Sequence, residues 1–569
     1  MDIQRTILWI GLAIVSYLMV LAWNEDYHQA PQQQPVAQTA EQDGSDTPEL
    51  NAPANRTNQE SGSNEFATPE DQDQTEVEGS TVQASDSGKQ ITLRTDVLEL
   101  DINLAGGNIT RASLLDYRES QNNPTPLKLL QNNQFRTYVL ESGLIGRDGF
   151  DASRNGPVPS YQVAQDSNLT LAEGADTLTV DLTFTGDSGV KVTKRYTLQR
   201  DSYEIDVSYV IDNQSDSTWQ GNFAGKIVRD SSGDPTAQQS LGIQAFLGMV
   251  LSTNDDPYEK YDFDDLRESP VNRTAEGGWI AFLQHYFLSA WIPDADSKHQ
   301  YQTTQRNNLT VMGFVSGSTT VEPGQQVEVG ARAYVGPKII ERLETVAPNL
   351  DRTVDFGFLF FIALPLFIVL DWFHDLVGNW GVAIILLTMS VKLVFFKLSA
   401  TSYRSMARMR AVAPQLTRLR ELYGDDRQRM SQEMMALYKR EKINPLGGCL
   451  PILVQMPVFI SLYWVLFESV QLRHAPFMLW IHDLSVMDPY FILPILMGAS
   501  MFIQMSLNPT PPDPMQAKVM KLMPLIFTVF FLWFPAGLVL YWLVNNVLSI
   551  AQQWYITRKI EAEGVGKKS

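Results

Sequence analysis

Residues 386–398 read LLTMSVKLVFFKL and lie inside an apolar stretch that runs from Trp380 to Leu398. Such a stretch is long and apolar enough to cross a membrane as a helix. It nevertheless contains Lys392, and a charge at the middle of a bilayer costs about 2.5–3.5 kcal/mol on insertion scales. The sequence therefore predicts a membrane protein in which a cation occupies an unfavourable position.

Charge is unevenly distributed along the 569 residues. The part from Trp23 to Leu350 contains 48 acidic and 23 basic residues, whereas the whole chain has a net charge of −20, so the remainder carries +5. An acidic, water-facing part is thus joined to a basic, apolar part. No region combines a basic balance with the pattern of a soluble domain, which argues against nucleic acid as a direct partner.

The first 89 residues predict an anchor and a tether. Ile7 to Trp23 is apolar and follows Arg5, and no A-x-A cleavage pattern comes after it, so residues 1–23 are predicted to be an uncleaved membrane anchor whose N-terminus is cytoplasmic. Residues 24–89 are rich in Gln, Pro, Asp, Glu, Ser and Thr. This composition buries too little apolar area to fold and predicts a flexible tether.

Residues 90–337 alternate between apolar and polar side chains, as in Leu98–Leu104 and Tyr203–Ile211. Repeated alternation with Gly, Asn and Asp between the runs predicts a large external antiparallel β-sandwich. Two segments rich in aromatic residues, Tyr258–Phe263 and Trp279–Trp291, are expected to form its core and rim. A peptide-binding cleft is the alternative for these two segments.

After a short amphipathic helix at Ile339–Val346, the chain contains several candidate spans. These are Phe356–Leu370, Trp380–Leu398, Cys449–Val470, Tyr490–Ser506 and Leu522–Ile556. The last contains WFPAGL, in which Pro535 and Gly537 allow a turn that divides it into two helices.

Loop charge selects among these candidates. Thr401–Ile443 contains 10 basic and 5 acidic residues, so this loop is predicted to be cytoplasmic. Phe356–Leu370 has 15 residues, is interrupted by Pro365, and would place the loop outside if it crossed. We therefore expect residues 338–377 to form helices on the outer surface. Six spans result, at 1–23, at 378–398 and four within 449–556, and the basic tail at 557–569 is cytoplasmic.

The cytoplasmic segment 399–448 contains two stretches of helical period, separated by Gly424, Asp425 and Asp426 as a stop and a new cap. It predicts an antiparallel helical hairpin. This hairpin is either a solvated connector or a site that binds a ribosome, a nascent chain or an anionic lipid surface. The lone Cys449 next to it is expected to be small core filler.

The sequence contains no H-E-x-x-H, G-x-S-x-G, Walker or G-x-G-x-x-G motif, so neither an enzyme nor a cofactor is predicted. The spans contain neutral polar residues together with Lys392. Each neutral polar residue either hydrogen-bonds a neighbouring helix or lines a functional polar cavity. Lys392 either extends to the interface or is the fixed charge of a hydrated cavity open to the cytoplasm. Lys397, one turn further on, reaches the interface easily.

Long blocks in this chain resemble the bacterial membrane protein insertase family YidC, in the form found in Gram-negative bacteria. They include GNWGVAIILLTMSVK, SQEMMALYKREKINPLGGCLPILVQMPVF and PLIFTVFFLWFPAGLVLYWLVNN, within roughly Gly378 to Ile556. The resemblance implies a groove within the bilayer that opens to cytoplasm and lipid. Lys392 matches a basic position of this groove that is commonly arginine, and Thr388, Gln455, Tyr541 and Trp542 match residues that line or border it.

The resemblance also implies where the protein works and with what. It implies an inner-membrane protein with a periplasmic β-domain that contacts the Sec translocon, and a cytoplasmic hairpin that receives clients. The expected partners are nascent membrane proteins, Sec components, membrane lipids, and a ribosome at the hairpin and tail. Two rival readings remain open: a small-solute transporter or channel, and an anchored scaffold whose β-domain does the work.

Overall fold

The fold is described from a computed structural model of the chain. The structure describes residues 89–152, 155, 157–164, 168–237, 245–306, 308–423, 426–441, 450–507 and 514–562. The predictions for the anchor, for nearly all of the tether, and for Cys449 lie outside these residues.

The strands form where apolar and polar side chains alternate. In β9 and β10 the buried residues occur at every second position, so each strand turns one face to the core. The strands are β1 Gln90–Arg94, β2 Leu98–Asn103, β3 Asn108–Ser120, β4 Asn123–Asn133, β5 Arg136–Ile145, β6 Gln162–Val163, β7 Asn168–Thr170, β8 Thr177–Thr185, β9 Val190–Gln199, β10 Glu204–Asn213, β11 Trp219–Asp230, β12 Gly248–Ser252, β13 Glu259–Tyr261, β14 Asn272–Glu276, β15 Trp279–Leu283, β16 Phe287–Ile292, β17 Lys298–Arg306, β18 Leu309–Val321 and β19 Gln326–Pro337.

These strands form two sheets. One has the order β14-β17-β18-β11-β5-β4-β3-β2-β1-β7 and the other β13-β12-β15-β16-β19-β10-β9-β8-β6. The prediction of a β-rich domain with antiparallel sheets is confirmed, with one departure: β1 and β7 pair in parallel. Tyr138 of the first sheet hydrogen-bonds Ser289 of the second at 2.7 Å, so the sheets share one core. Trp279 and Trp291 are 1% exposed and belong to this core, although Trp279 also lines a cavity of about 530 Å³.

Eleven helices are described. They are α1 Phe263–Glu268, α2 Ile340–Val346, α3 Phe360–Val377, α4 Trp380–Val394, α5 Phe396–Ala411, α6 Ala413–Tyr423, α7 Arg427–Arg440, α8 Leu450–Glu468, α9 Ile492–Ser506, α10 Pro514–Phe530 and α11 Ala536–Ala562. The helical C-terminal region is thereby confirmed. The α10–α11 break at 531–535 also confirms the turn that WFPAGL predicts.

The segment around Pro365 is longer than its sequence suggested. α3 has 18 residues and continues through Pro365, which is only its sixth residue. An interior proline removes one backbone hydrogen bond and crowds the carbonyl four residues earlier, yet the helix continues through it. With the preceding 3₁₀ turn, Gly357–Val377 has 21 residues and a mean hydropathy of 1.9, and by length and composition it could cross a membrane.

The apolar stretch around Lys392 is not one straight helix. α4 ends at Val394, and α5 begins at Phe396 with a bend of 67° between them. The segment predicted to span the membrane, 378–398, therefore contains a break at Phe395. Lys392 lies in the last turn of α4, two residues from its end.

α11 is the central helix of the described bundle, because it packs against α4, α5, α8 and α9. α3 packs against both α4 and α8, and α10 packs against α9. Side chains on α11 can therefore meet partners from several other helices, and the polar residues of the bundle gather along it.

Candidate functional site

Lys392 turns its ammonium into the bundle. The residue is 9% exposed, and its Nζ donates a hydrogen bond of 2.7 Å to Oγ of Ser549 on α11. Ser549 in turn donates to the backbone oxygen of Asn545 at 2.6 Å. Among the described residues, no carboxylate lies within 4.0 Å of this ammonium. The lysine is thus a buried cation whose partner is a neutral hydroxyl.

The neutral polar residues near Lys392 are largely satisfied within the bundle. Thr388 is 1% exposed, and its hydroxyl donates to the Ile384 carbonyl at 2.7 Å. Asn546 of α11 donates to Ser500 of α9 at 3.1 Å. These contacts are those of helix packing. Thr388 shares a helix face with Lys392, but its hydroxyl donates to a carbonyl of its own helix.

Tyr541 and Trp542 form a second group with α8. Phe459 stacks on Tyr541 at 6.4 Å between ring centroids and meets Trp542 edge-on at 4.7 Å. Gln455 is half-buried, one turn before Phe459 on α8. Within the described part of the chain it makes no hydrogen bond to Lys392 or to any other residue.

The two groups are related through α11. Tyr541, Asn545 and Ser549 are four residues apart and share one face of this helix. Eight residues of helix span about 12 Å, so the aromatic group and the lysine group lie roughly that far apart along α11. The indole Nε1 of Trp542 is buried without a hydrogen-bond partner among the described residues. The site is thus a polar and aromatic face with Lys392 at one end.

The segment after the bend forms three helices, of which α6 and α7 pack together. Asp426 accepts a hydrogen bond from the Arg429 amide at 3.0 Å, so its predicted role as an N-cap is confirmed. Arg440 donates to Gln415 at 3.0 Å across the pair. Val412 and Tyr438 are buried together at its base. The basic residues therefore sit on a packed hairpin.

One group of side chains has ligand atoms close enough for a metal ion. Asp371, His374 and Asp375 lie on α3, and their ligand atoms are all within 4.8 Å of one another. The His374 ring lies flat on Trp380, with 4.0 Å between centroids. Stacking of this kind accounts for the position of the ring without an ion, and we assign the group no function.

Comparison with known proteins covers nearly the whole chain. A family model described as the YidC periplasmic domain matches residues 90–369, and one described as 60Kd inner membrane protein matches residues 372–563. "Membrane protein insertase YidC" of Marinobacter nauticus is 71% identical, and each chain is covered completely. The protein of that name from Hahella chejuensis is 59% identical over 100% of this chain and 99% of the relative. The chain belongs to the YidC insertase family.

The family confirms several predictions from the sequence. YidC relatives are named as insertases, which is a non-enzymatic function, and not as transporters or channels. A periplasmic domain and an inner-membrane region are part of the family description. A solved structure titled as an active YidC insertase covers 83% of this chain and 93% of its own, at 18% identity and a TM-score of 0.37.

The junction between the β-domain and the helical bundle was not predicted from the sequence. Lys338, just after β19, and Glu468, at the end of α8, form an ion pair of 2.9 Å in which both side chains are 4% exposed. His285 hydrogen-bonds the Phe467 carbonyl at 2.9 Å. Glu468 is the one acid in the predicted spans, and a buried acid requires a partner. That signal was available, but it does not identify a lysine 130 residues away.

Proposed function

We propose that this chain inserts membrane proteins through a polar groove whose fixed charge is Lys392. The observation that carries the proposal is the environment of this ammonium, which is 9% exposed and hydrogen-bonded to a hydroxyl rather than to a carboxylate. A buried charge without an ion partner costs free energy. The presence of this ammonium is therefore best explained if it attracts a negatively charged client.

The proposed topology has six spans and cytoplasmic termini, with α3 on the outer surface. The basic loop 401–443 supports a cytoplasmic hairpin, since positive residues remain on that side. The periplasmic family model extends to residue 369, which supports assigning most of α3 to the outer side. With α4 crossing outside to inside, Lys392 lies toward the cytoplasmic end of its span.

In the proposed mechanism, a short hydrophilic segment of a client enters from the cytoplasm. Its polar groups find partners in the groove, where they avoid direct exposure to hydrocarbon. Acidic residues of this segment are attracted to Lys392. The apolar segment of the client then moves sideways into lipid, driven by about 25 cal/mol for each Å² of apolar surface that leaves water. This mechanism requires no nucleotide.

We further propose that the hairpin α6–α7 receives clients and that it binds the ribosome together with the basic tail. Arg418, Arg429 and Lys439 are exposed on this hairpin, and a cationic surface suits ribosomal RNA or an acidic nascent segment. The β-domain is proposed to contact the Sec translocon.

Replacement of Lys392 tests the groove. In cells depleted of the native protein, Lys392→Arg should retain insertion of a single-span client with an acidic external tail. Lys392→Ala and Lys392→Glu should reduce it by about tenfold, because a desolvated charge pair contributes on the order of 1–2 kcal/mol. Protease protection of the tail measures insertion, and immunoblotting checks that each variant accumulates.

The matched control is Lys397→Ala, which removes an exposed lysine five residues away. It should insert the client at the native rate. Normal insertion by Lys392→Ala would contradict the proposal, since the groove would then function without its charge.

A further inference from the structure

A cavity of about 660 Å³ lies between the tip of the β3–β4 hairpin and the loop that follows α8. The hairpin contributes Arg118, Gln121 and Asn122, and the loop contributes Arg473, His474 and His482. Two guanidinium groups and two imidazoles thus line one space, at the place where the β-domain meets the bundle. The function proposed above does not use this cavity.

Neither guanidinium is paired with an acid. Among the described residues, no carboxylate lies within 4.0 Å of Arg118 or Arg473. Arg473 donates to the Glu119 backbone oxygen at 3.1 Å and lies over the Phe287 ring at 5.7 Å. Burial lowers the pKa of the Arg473 guanidinium, which is the direction expected when a charge lacks a close counter-ion.

The acids nearby already have partners. Asp116 lines the cavity, but its carboxylate accepts the Tyr203 hydroxyl at 3.2 Å. Asp483 is buried and accepts hydrogen bonds from Ser485 at 2.9 and 2.6 Å. Burial and the neighbouring Arg473 lower the pKa of His474, so this imidazole is neutral near pH 7. Both arginines contribute positive charge to the cavity.

The loop below the cavity indicates its depth relative to the membrane. Asn379, the N-cap of α4, donates to the Pro476 and Phe477 carbonyls at 3.3 and 3.0 Å, so this loop is fixed at the outer end of α4. Met478 and Leu479 follow, and they are 50% and 75% exposed. Apolar side chains exposed at the end of a spanning helix suit the interface between headgroups and acyl chains.

We propose that this cavity binds the phosphate of an anionic phospholipid headgroup from the outer leaflet. Arginine suits this ligand, because its planar fork donates two parallel hydrogen bonds to phosphate oxygens. Gln121 and Asn122 add neutral donors, while Met478 and Leu479 contact the acyl chains. The inference rests on the proposed topology but not on the groove, so it can fail while insertion through Lys392 stands.

Lipid retention by the purified full-length chain tests the proposal. Native mass spectrometry from detergent should show phosphatidylglycerol retained in preference to phosphatidylcholine. The double variant Arg118→Gln/Arg473→Gln should lower phosphatidylglycerol retention by about tenfold, since it removes two charge-assisted contacts. Arg118→Gln alone, at an exposed position near the hairpin tip, should lower it by about threefold and leave the fold intact, because surface substitutions usually change stability little.

The matched control is Arg267→Gln, which removes one exposed arginine on α1 and should leave lipid retention unchanged. Equal retention by the native chain and the double variant would overturn the proposal. Displacement of phosphatidylglycerol by millimolar inorganic phosphate or by an acidic peptide, at unchanged detergent concentration, would also overturn it. Either result would mean that the cavity selects a soluble anion.

Discussion

Lys392 and His285 show how much of a single residue's role the sequence reveals and how much only the structure shows. The position of Lys392 in an apolar stretch marks it as unusual from the sequence alone. Its partner Ser549 is 157 residues away, and no local pattern predicts that pairing. His285 gave no signal, because a histidine in a strand-rich region is ordinary. Its hydrogen bond to Phe467 depends on how the domain meets the bundle.

His285 predicts a pH dependence of stability. Burial, with Lys338 next, lowers its pKa to about 3. As the pH falls below about 6.5, His285 binds a proton in the unfolded chain but not in the folded chain. The free energy of unfolding therefore falls, by about 2 kcal/mol at pH 5. Chemical denaturation of the full chain in detergent at pH 7.5 and 5 measures this loss.

The control for this prediction is His285→Gln, which keeps a donor for the Phe467 carbonyl and does not titrate. Its stability should fall less than that of the native chain over the same pH range. Equal losses would show that other groups cause the dependence.

At the scale of elements, the ion pair between Lys338 and Glu468 joins β19 to α8. Two charges that are each 4% exposed depend on one another, because removal of either leaves the other buried without a partner. Lys260 also pairs with Asp355 near this junction, but both of those side chains are about one-third exposed. The buried pair therefore dominates the electrostatics of the junction.

Glu468→Gln should destabilise the full chain by about 3–5 kcal/mol. Replacement of both partners by apolar residues, Lys338→Met with Glu468→Leu, should restore most of the loss, because no unpaired charge remains. Thermal unfolding and protease release of the β-domain measure the effect. Glu204→Gln is the matched control, since its pair with Arg332 is more exposed and contributes at most about 1 kcal/mol. An equal effect of both glutamate variants would contradict the argument.

Element boundaries show where the sequence was sufficient. Alternation predicted strands such as β9 and β10 because each buries only one face, whereas β15 and β16 are buried on both faces. The turn at Pro535 was predictable because proline and glycine act locally. The break at Phe395 was not, since LVFFKL contains neither proline nor glycine to mark the 67° bend. Likewise, the sequence spacing of Tyr541 and Ser549 places both on one face of a helix. It does not predict that Tyr541 contacts Phe459 or that Ser549 bonds Lys392.

At the scale of the whole molecule, the position of α3 determines the topology. Its length and hydropathy suit a span, whereas loop charge and the extent of the periplasmic family model support an outer-surface helix. If α3 crossed the membrane, the hairpin would lie on the side of the β-domain. The two arrangements differ in which residues a membrane-impermeant reagent can reach.

Single cysteines distinguish these arrangements after Cys449→Ala removes the native thiol. Arg352→Cys, eight residues before the start of α3, and Asp375→Cys, in its last turn, should both react with an impermeant maleimide added to intact spheroplasts. Arg440→Cys on the hairpin should react only after lysis and serves as the control. Labelling at only one end of α3 would show that the helix spans the membrane.

The single hydroxyl partner of Lys392 has an electrical consequence. Among the described residues no carboxylate lies within 4.0 Å of its ammonium, so the groove proposed above would hold an uncompensated positive charge within the voltage drop of the membrane. Moving one elementary charge across 100 mV changes its energy by about 2.3 kcal/mol. With an interior-negative potential, an acidic client segment is pulled outward while Lys392 attracts it, so the potential assists its release from the lysine. Insertion of acidic tails should therefore slow when the membrane is depolarised, whereas insertion of neutral tails should change little.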